Sequence, residues 1–214
     1  MATVDNASRN VGKRAFEIIC VTNRRLCAEN FLSRVEKIAA CRPSAIILRE
    51  KDLSPEEYSE LAANVIEICA AHGVDCILHQ NYGVAIKLGV KRIHLPLPVL
   101  RKLSASDKKF FDVIGASCHS LDELLEAQKL GCTYATAGHI FATDCKKNLE
   151  PRGLNFLTKL LDAAAVPIFA IGGVTAGNIA QVQSVGVRGA CVMSGFMTCA
   201  NVADFMRSLR GENF

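Results

Sequence analysis

The sequence predicts an α/β fold, a single compact TIM (β/α)8 barrel, and three features carry that expectation. Strand and helix patterns alternate eight times along 214 residues. The strand segments are near-continuous apolar runs, as parallel strands buried on both faces require. Polar, chemistry-bearing residues collect just after the strands, at the end of a barrel where active sites form. Right-handed crossovers would close eight such units. An open doubly wound sheet is the alternative, disfavoured because no G-x-G-x-x-G follows the first strand.

Residues 1–13 are polar and read as a flexible N-terminal segment ahead of one barrel domain over 14–214. FEIICVT (16–22) is the first strand, and residues 30–40 form a helix with Phe31, Val35, Ile38 and Ala39 on one face. SAIILRE (44–50) is the second strand. The helix over 53–73 is the best signalled, with Ser54 as N-cap, Pro55 at its first position, Glu57 three residues after the cap and Gly73 as its stop. VDCILH (74–79), a short helix over 82–87 and KRIHL (91–95) follow, with a turn or two over 98–103. FFDVIGAS (110–117) is the fifth strand; the helix after it, over 120–131, opens on a Ser120/Glu123 capping box and ends at Gly131. CTYATAG (132–138), a helix over 154–165, VPIFAIGG (166–173), a helix over 175–186, RGACVMSG (188–195) and a last helix over 198–210 complete the count.

Composition narrows the function. Lys and Arg number 25 against 21 Asp and Glu, a formal net charge of +4, and no basic run is interleaved with aromatics, so nucleic acid is not the expected partner. A few cations facing an anionic small molecule would account for the balance. The 10 cysteines contain no C-x-x-C pair, which argues against a zinc framework or thioredoxin-type motif. The opening residues lack a secretory apolar region, and no apolar run approaches the ~20 residues that span a bilayer. A cytoplasmic protein with no membrane partner is the expectation.

The stretch 138–153, GHIFATDCKKNLEPRG, is longer than a strand-to-helix connection needs, and loops of this kind on rigid scaffolds carry function. It holds His139, Thr143, Asp144, Cys145 and the Lys146–Lys147 pair. The glycines Gly172 and Gly173 after the seventh strand, and Ser194-Gly195 after the eighth, each precede a helix. Barrel phosphate sites form at these two loops, where backbone amides and a helix N-terminus favour negative charge. Arg49 and Lys51 flank Glu50 and point the same way in an extended segment, suiting either a second acidic group or an exposed ion-paired face. His72, His94 and His119 read as surface or core residues.

The runs YATAGHIFATDCKKNLEPRG and FAIGGVTAGNIAQVQSVGVRGACVMSG resemble the thiamine-phosphate synthase/TenI superfamily, whose members are single (β/α)8 barrels. The similarity runs from VTNRR at 21 to about residue 207. The synthase pattern has an Asn-Asp pair after strand three and an acidic residue after strand four, both serving magnesium. Here those places read His79-Gln80-Asn81 and His94-Leu95-Pro96-Leu97-Pro98. Its loop G-P-x-F-x-T-x-T-K has His139 in place of Pro and Cys145 in place of the second Thr. The form GHIFATDCKK resembles the TenI-like thiazole tautomerases instead. The resemblance implies an isomerase that converts a thiazole carboxylate phosphate into its aromatic tautomer, with His139 as base and then acid. It implies that Thr143, Gly172, Gly173, Ser194 and Gly195 hold the phosphate and that Ser117 lines the pocket. Arg49, Lys51 or Lys146 would stabilise the electron-rich intermediate. No metal or organic cofactor is implied, and a homo-oligomer is compatible with the family. Cys145 as a nucleophile is the rival reading, disfavoured because a proton shift needs no covalent step. Thiamine-phosphate synthase, joining aminopyrimidine pyrophosphate to thiazole phosphate, and a non-catalytic TenI-like regulatory or binding protein are the alternatives.

Overall fold

The structure, a computed structural model, describes residues 15–146 and 149–212; the N-terminal segment over 1–13 lies outside them. Eight parallel strands close in sequence order: β1 (Glu17–Val21), β2 (Ala45–Leu48), β3 (Asp75–His79), β4 (Arg92–Pro96), β5 (Val113–Cys118), β6 (Tyr134–Gly138), β7 (Ile168–Ile171) and β8 (Gly189–Val192), with β8 paired back onto β1. Around them run α1 (Phe31–Ala40), α2 (Pro55–His72), α3 (Tyr82–Lys87), α4 (Leu97–Leu100), α5 (Ala105–Phe110), α6 (Leu121–Lys129), α7 (Gly153–Asp162), α8 (Ile179–Val185), α9 (Ser194–Thr198) and α10 (Val202–Arg210). The expected TIM barrel is the observed one.

Two apolar layers hold it. Inside the barrel, Ile19, Val21, Ala45, Ile47, Ile77, Tyr134, Phe169 and Cys191 fill the lumen. Outside, the opposite strand faces pack against the buried stripes of the helices, among them Val35, Ile38, Leu124, Leu157, Leu160 and Val182. Because each strand is covered on both sides, alternation of polarity disappears from its sequence.

The caps explain where helices begin. Ser54 accepts from the Glu57 amide and Glu57 from the Ser54 amide, the reciprocal box expected at the head of α2, a cap worth about 1 kcal/mol. At α6 the box is shifted by one residue: Ser120 accepts from the Glu123 amide at 3.1 Å, but the Glu123 carboxylate takes the His119 amide at 2.5 Å. It thereby fixes His119 at the barrel mouth.

Two stretches differ from expectation. The fifth strand starts at Val113, not 110, because residues ahead of it form α5, capped by the Ser104 hydroxyl accepting from the Asp107 amide. The expected helix over 198–210 is two: α9 ends at Thr198, and Asn201 caps a fresh start for α10. The break lets the two helices meet at an angle, with Phe196 and Phe205 in edge-to-face contact.

Candidate active site

A cavity of about 270 Å³ opens at the carboxyl ends of the strands. Every strand contributes: Val21, Arg49, His79, Pro96, Ser117, Gly138, Ile171 and Val192 stand at or just past the ends of β1 to β8. Among the described residues, Arg49, Lys51 and Lys146 line it, and no Asp or Glu does. Desolvation, reinforced by the charges of Arg49 and Lys146, lowers the Lys51 pKa. Crowded cations of this kind favour an anionic ligand.

Glu50 accounts for the direction of its neighbours. Its buried carboxylate accepts from the Thr22 hydroxyl at 2.7 Å and from the Arg24 amide and guanidinium. Thr22 in turn accepts from the Arg49 amide at 2.9 Å. Glu50 is thus turned toward the 3-10 turn over Arg24–Leu26, and both flanking cations reach the cavity. Among the described residues, neither Arg49 nor Lys51 forms an ion pair; the carboxylates beside them pair with Arg24 and Arg25 instead.

His139 is held from three sides. Its carbonyl accepts from the Arg152 amide at 3.0 Å, its Nε2 lies 3.1 Å from the Leu149 carbonyl, and its Cα and Cβ rest against Gly172. A carbonyl only accepts, so Nε2 bears a proton and, in the neutral ring, Nδ1 carries the lone pair. The residue is 5% exposed and lines the cavity. The loop after β6 is laid on the loop after β7 by main-chain bonds from Ile140 to Ile171 and from Phe141 to Gly172. That approach demands glycines. A Cβ at Gly172 would stand 2.3 Å from the His139 Cβ, and one at Gly173 would stand 2.5 Å from the Ala142 carbonyl oxygen; both residues also have positive φ, 93° and 70°.

Thr143, Gly172, Gly173 and Ser194 line the cavity together with His139, Ser117 and the three cations. Gly195 is absent from the lining. A Cβ there would meet the Phe205 ring at 2.3 Å, so packing against α10 accounts for its lack of a side chain. The Cys145 side chain and Lys147 lie outside the described residues.

Sequence reasoning passed over three imidazoles. His119 lines the cavity, and its Nδ1 bonds to the Gly138 carbonyl at 2.8 Å, so in the neutral ring Nε2 carries the lone pair. His79, 6% exposed, also lines it. His94 is buried beneath, between Ser117 and Tyr134. His119 follows β5 and His79 ends β3, the signal that marked His139, whereas His94 lies within β4. Of the three histidines read as surface or core, His72, paired with Glu36, and buried His94 keep that reading, and His119 does not. Burial, then His94, Arg49 and Lys51, pushes the His79 pKa down to about 2; burial and Arg49 push His94 down to about 4. Both are neutral at pH 7.

Magnesium, which the synthase pattern implies, does not fit this donor set. It requires hard oxygen ligands, usually including a carboxylate. The places of the two pattern carboxylates are taken by Gln80, exposed and in the left-handed region with φ 67°, and by the apolar segment at the head of α4. Among the described residues no three His, Cys, Asp or Glu side chains are grouped to hold an ion.

The comparisons agree with this architecture. The family model described as thiamine monophosphate synthase matches residues 18–196. Thiamine-phosphate synthase 2 of Streptococcus pneumoniae is 32% identical over 200 residues, covering 90% of this chain and 92% of that protein. The thiamine-phosphate synthase of Caldanaerobacter subterraneus is 30% identical over 205 residues, 91% and 94% of the two chains. Among solved structures, thiamine phosphate pyrophosphorylase from Pyrococcus furiosus superposes with a TM-score of 0.79 at 26% identity, over 92% of this chain and 94% of that one. 3-Hexulose-6-phosphate synthase, at 16% identity and a TM-score of 0.67, shares the fold. On sequence and architecture alike, the chain belongs to the thiamine monophosphate synthase family, which takes in the thiamine-phosphate synthases and the TenI-like proteins.

Proposed function

We propose that this protein is a thiazole tautomerase of thiamine biosynthesis, an isomerase acting on a thiazole carboxylate phosphate. One observation carries the reading: among the described residues, three cations and His139 line the cavity, and no carboxylate does. That set suits a substrate with two anionic groups and a proton transfer.

In the proposed reaction Nδ1 of His139 takes the proton from the ring carbon that bears the carboxylate. The freed electron pair enters the ring as it becomes aromatic, and the exocyclic double bond supplies the pair that takes the proton back at its outer carbon. No atom is gained or lost. The Leu149 carbonyl, 3.1 Å from Nε2, stabilises the transient imidazolium and keeps the ring oriented. Arg49 and Lys51 stabilise the carboxylate-bearing, electron-rich intermediate, in which charge has moved into the ring. Thr143, the Gly172–Gly173 turn and Ser194 cradle the phosphate, with Lys146 beside it.

The second reading, thiamine-phosphate synthase, is favoured by the names of the relatives at about 30% identity. It needs a second, pyrophosphorylated substrate and a divalent ion, for which the donor set offers little. One experiment separates the two. The purified protein is given the thiazole carboxylate phosphate in the presence of EDTA, against a blank for spontaneous conversion, and separately the two phosphorylated halves with Mg²⁺. Aromatisation above the blank with no thiamine phosphate supports the tautomerase; the reverse pattern replaces it with the synthase.

A further inference from the structure

Beneath the cavity floor a hydrogen-bonded chain runs through the barrel lumen. The Tyr134 hydroxyl on β6 lies 2.9 Å from His94 Nδ1 on β4, and His94 Nε2 lies 2.9 Å from the Ser117 hydroxyl on β5. The register builds it: His94 stands opposite Gly115, and Gly115 opposite Tyr134. A Cβ at Gly115 would lie 2.2 Å from the Tyr134 ring, 2.4 Å from its hydroxyl and 2.5 Å from His94 Nδ1, so the glycine leaves the space this bond occupies. Ser117 is the one member that lines the cavity.

We propose that Tyr134 and His94 are positioning residues that fix Ser117 as a hydrogen-bond donor into the cavity, so that the site selects a substrate with an acceptor atom at its floor. The direction follows from counting protons. The Tyr134 hydroxyl is buried, and His94 Nδ1 is its one hydrogen-bond partner among the described residues. Its proton therefore goes to Nδ1. A neutral imidazole that accepts at Nδ1 donates at Nε2, so the Ser117 oxygen receives a proton and its own O–H is left to point outward. In the opposite arrangement the Tyr134 proton would have no acceptor among the described residues, a costly state for a buried polar group. Burial raises the Tyr134 pKa and lowers that of His94, so both stay neutral and the direction holds across the physiological range. His79, stacked on His94 with ring centroids 5.9 Å apart, adds a second neutral face to the same floor. The inference rests on the proposed function only in taking this cavity as the substrate site.

Long-range ¹H–¹⁵N correlation spectra of the ¹⁵N-labelled full-length protein at pH 7 read the tautomer directly, with the His94 signals identified by their loss in His94→Asn. The expected state is protonated Nε2 in the parent and a mixture of tautomers in Tyr134→Phe. A proton on Nδ1, or a charged ring, in the parent overturns the inference whatever reaction the enzyme runs. Turnover supplies the second readout. Ser117→Ala and Tyr134→Phe should each lower kcat/KM by roughly 10-fold, the scale of one hydrogen bond, and the double variant by no more than Ser117→Ala alone. Independent, multiplying losses would contradict a shared path through Ser117. If the parent turns over neither proposed substrate, the functional reading fails while the tautomer measurement still decides this one.

Discussion

Replacing Gly172 by alanine puts a methyl group where His139 already stands. The new Cβ would lie 2.3 Å from the His139 Cβ and 2.8 Å from its Cα. Saturated carbons rest at about 3.5–4.0 Å, so the two loops must part by more than about 1 Å. The atoms in the way belong to the root of the side chain, and no rotamer change relieves them. Displacing an acid–base group by about 1 Å costs on the order of 100-fold in rate. The φ of 93° adds a conformational penalty of roughly 1–2 kcal/mol for any L side chain. In a protein of this size that lowers Tm by roughly 2–8 °C. The assay is initial-rate aromatisation of the thiazole carboxylate phosphate beside a thermal melt followed by circular dichroism. A folded Gly172→Ala protein with kcat within about 3-fold of the parent would refute the claim that this contact positions the imidazole.

Other outcomes follow from the same contacts. His94 has its pKa lowered from the ordinary 6.5 to about 4; the unfolded chain therefore binds the extra proton first, and stability is lost as pH falls through that window. The loss is about 3 kcal/mol, with His79 adding in the same direction, and urea melts at pH 7, 5.5 and 4 would reveal it. Glu50→Ala strips the buried Thr22 hydroxyl and the Arg24 amide of their acceptor; a loss of roughly 1–3 kcal/mol should accompany weaker substrate binding as Arg49 and Lys51 lose their orientation. Arg49→Gln and Lys51→Gln, which remove cations from the cavity wall, should raise KM or lower kcat/KM by roughly 10-fold or more each, the scale of a charge-assisted hydrogen bond, with little change in Tm.

Much of the fold was legible because barrel strands announce themselves by apolar continuity and their helices by caps. Ser54–Glu57 and Ser120–Glu123 marked two helix starts within a residue. The same chemistry at Ser104–Asp107 was overlooked beside Phe110 and Phe111, whose apolar pair read as the start of a strand. At the site, residues in one loop or at one strand end were accessible to sequence reasoning, and His139, Thr143, Lys146, Arg49 and Lys51 do meet in one cavity. Relations across strands were not. That Glu50 turns toward Arg24, that Gly195 answers to Phe205, and that His94 bridges Tyr134 to Ser117 all depend on register, which no single segment encodes.

The central claim is that one imidazole moves the proton in a cavity built for anions. Its most direct measurement is the aromatisation rate of His139→Ala set beside the affinity of the same variant for thiazole phosphate, both without added metal. The account predicts a fall of 100-fold or more in rate, on the order of what a general acid–base group supplies, with phosphate affinity kept within a few-fold. A variant that aromatises the substrate as fast as the parent would contradict it.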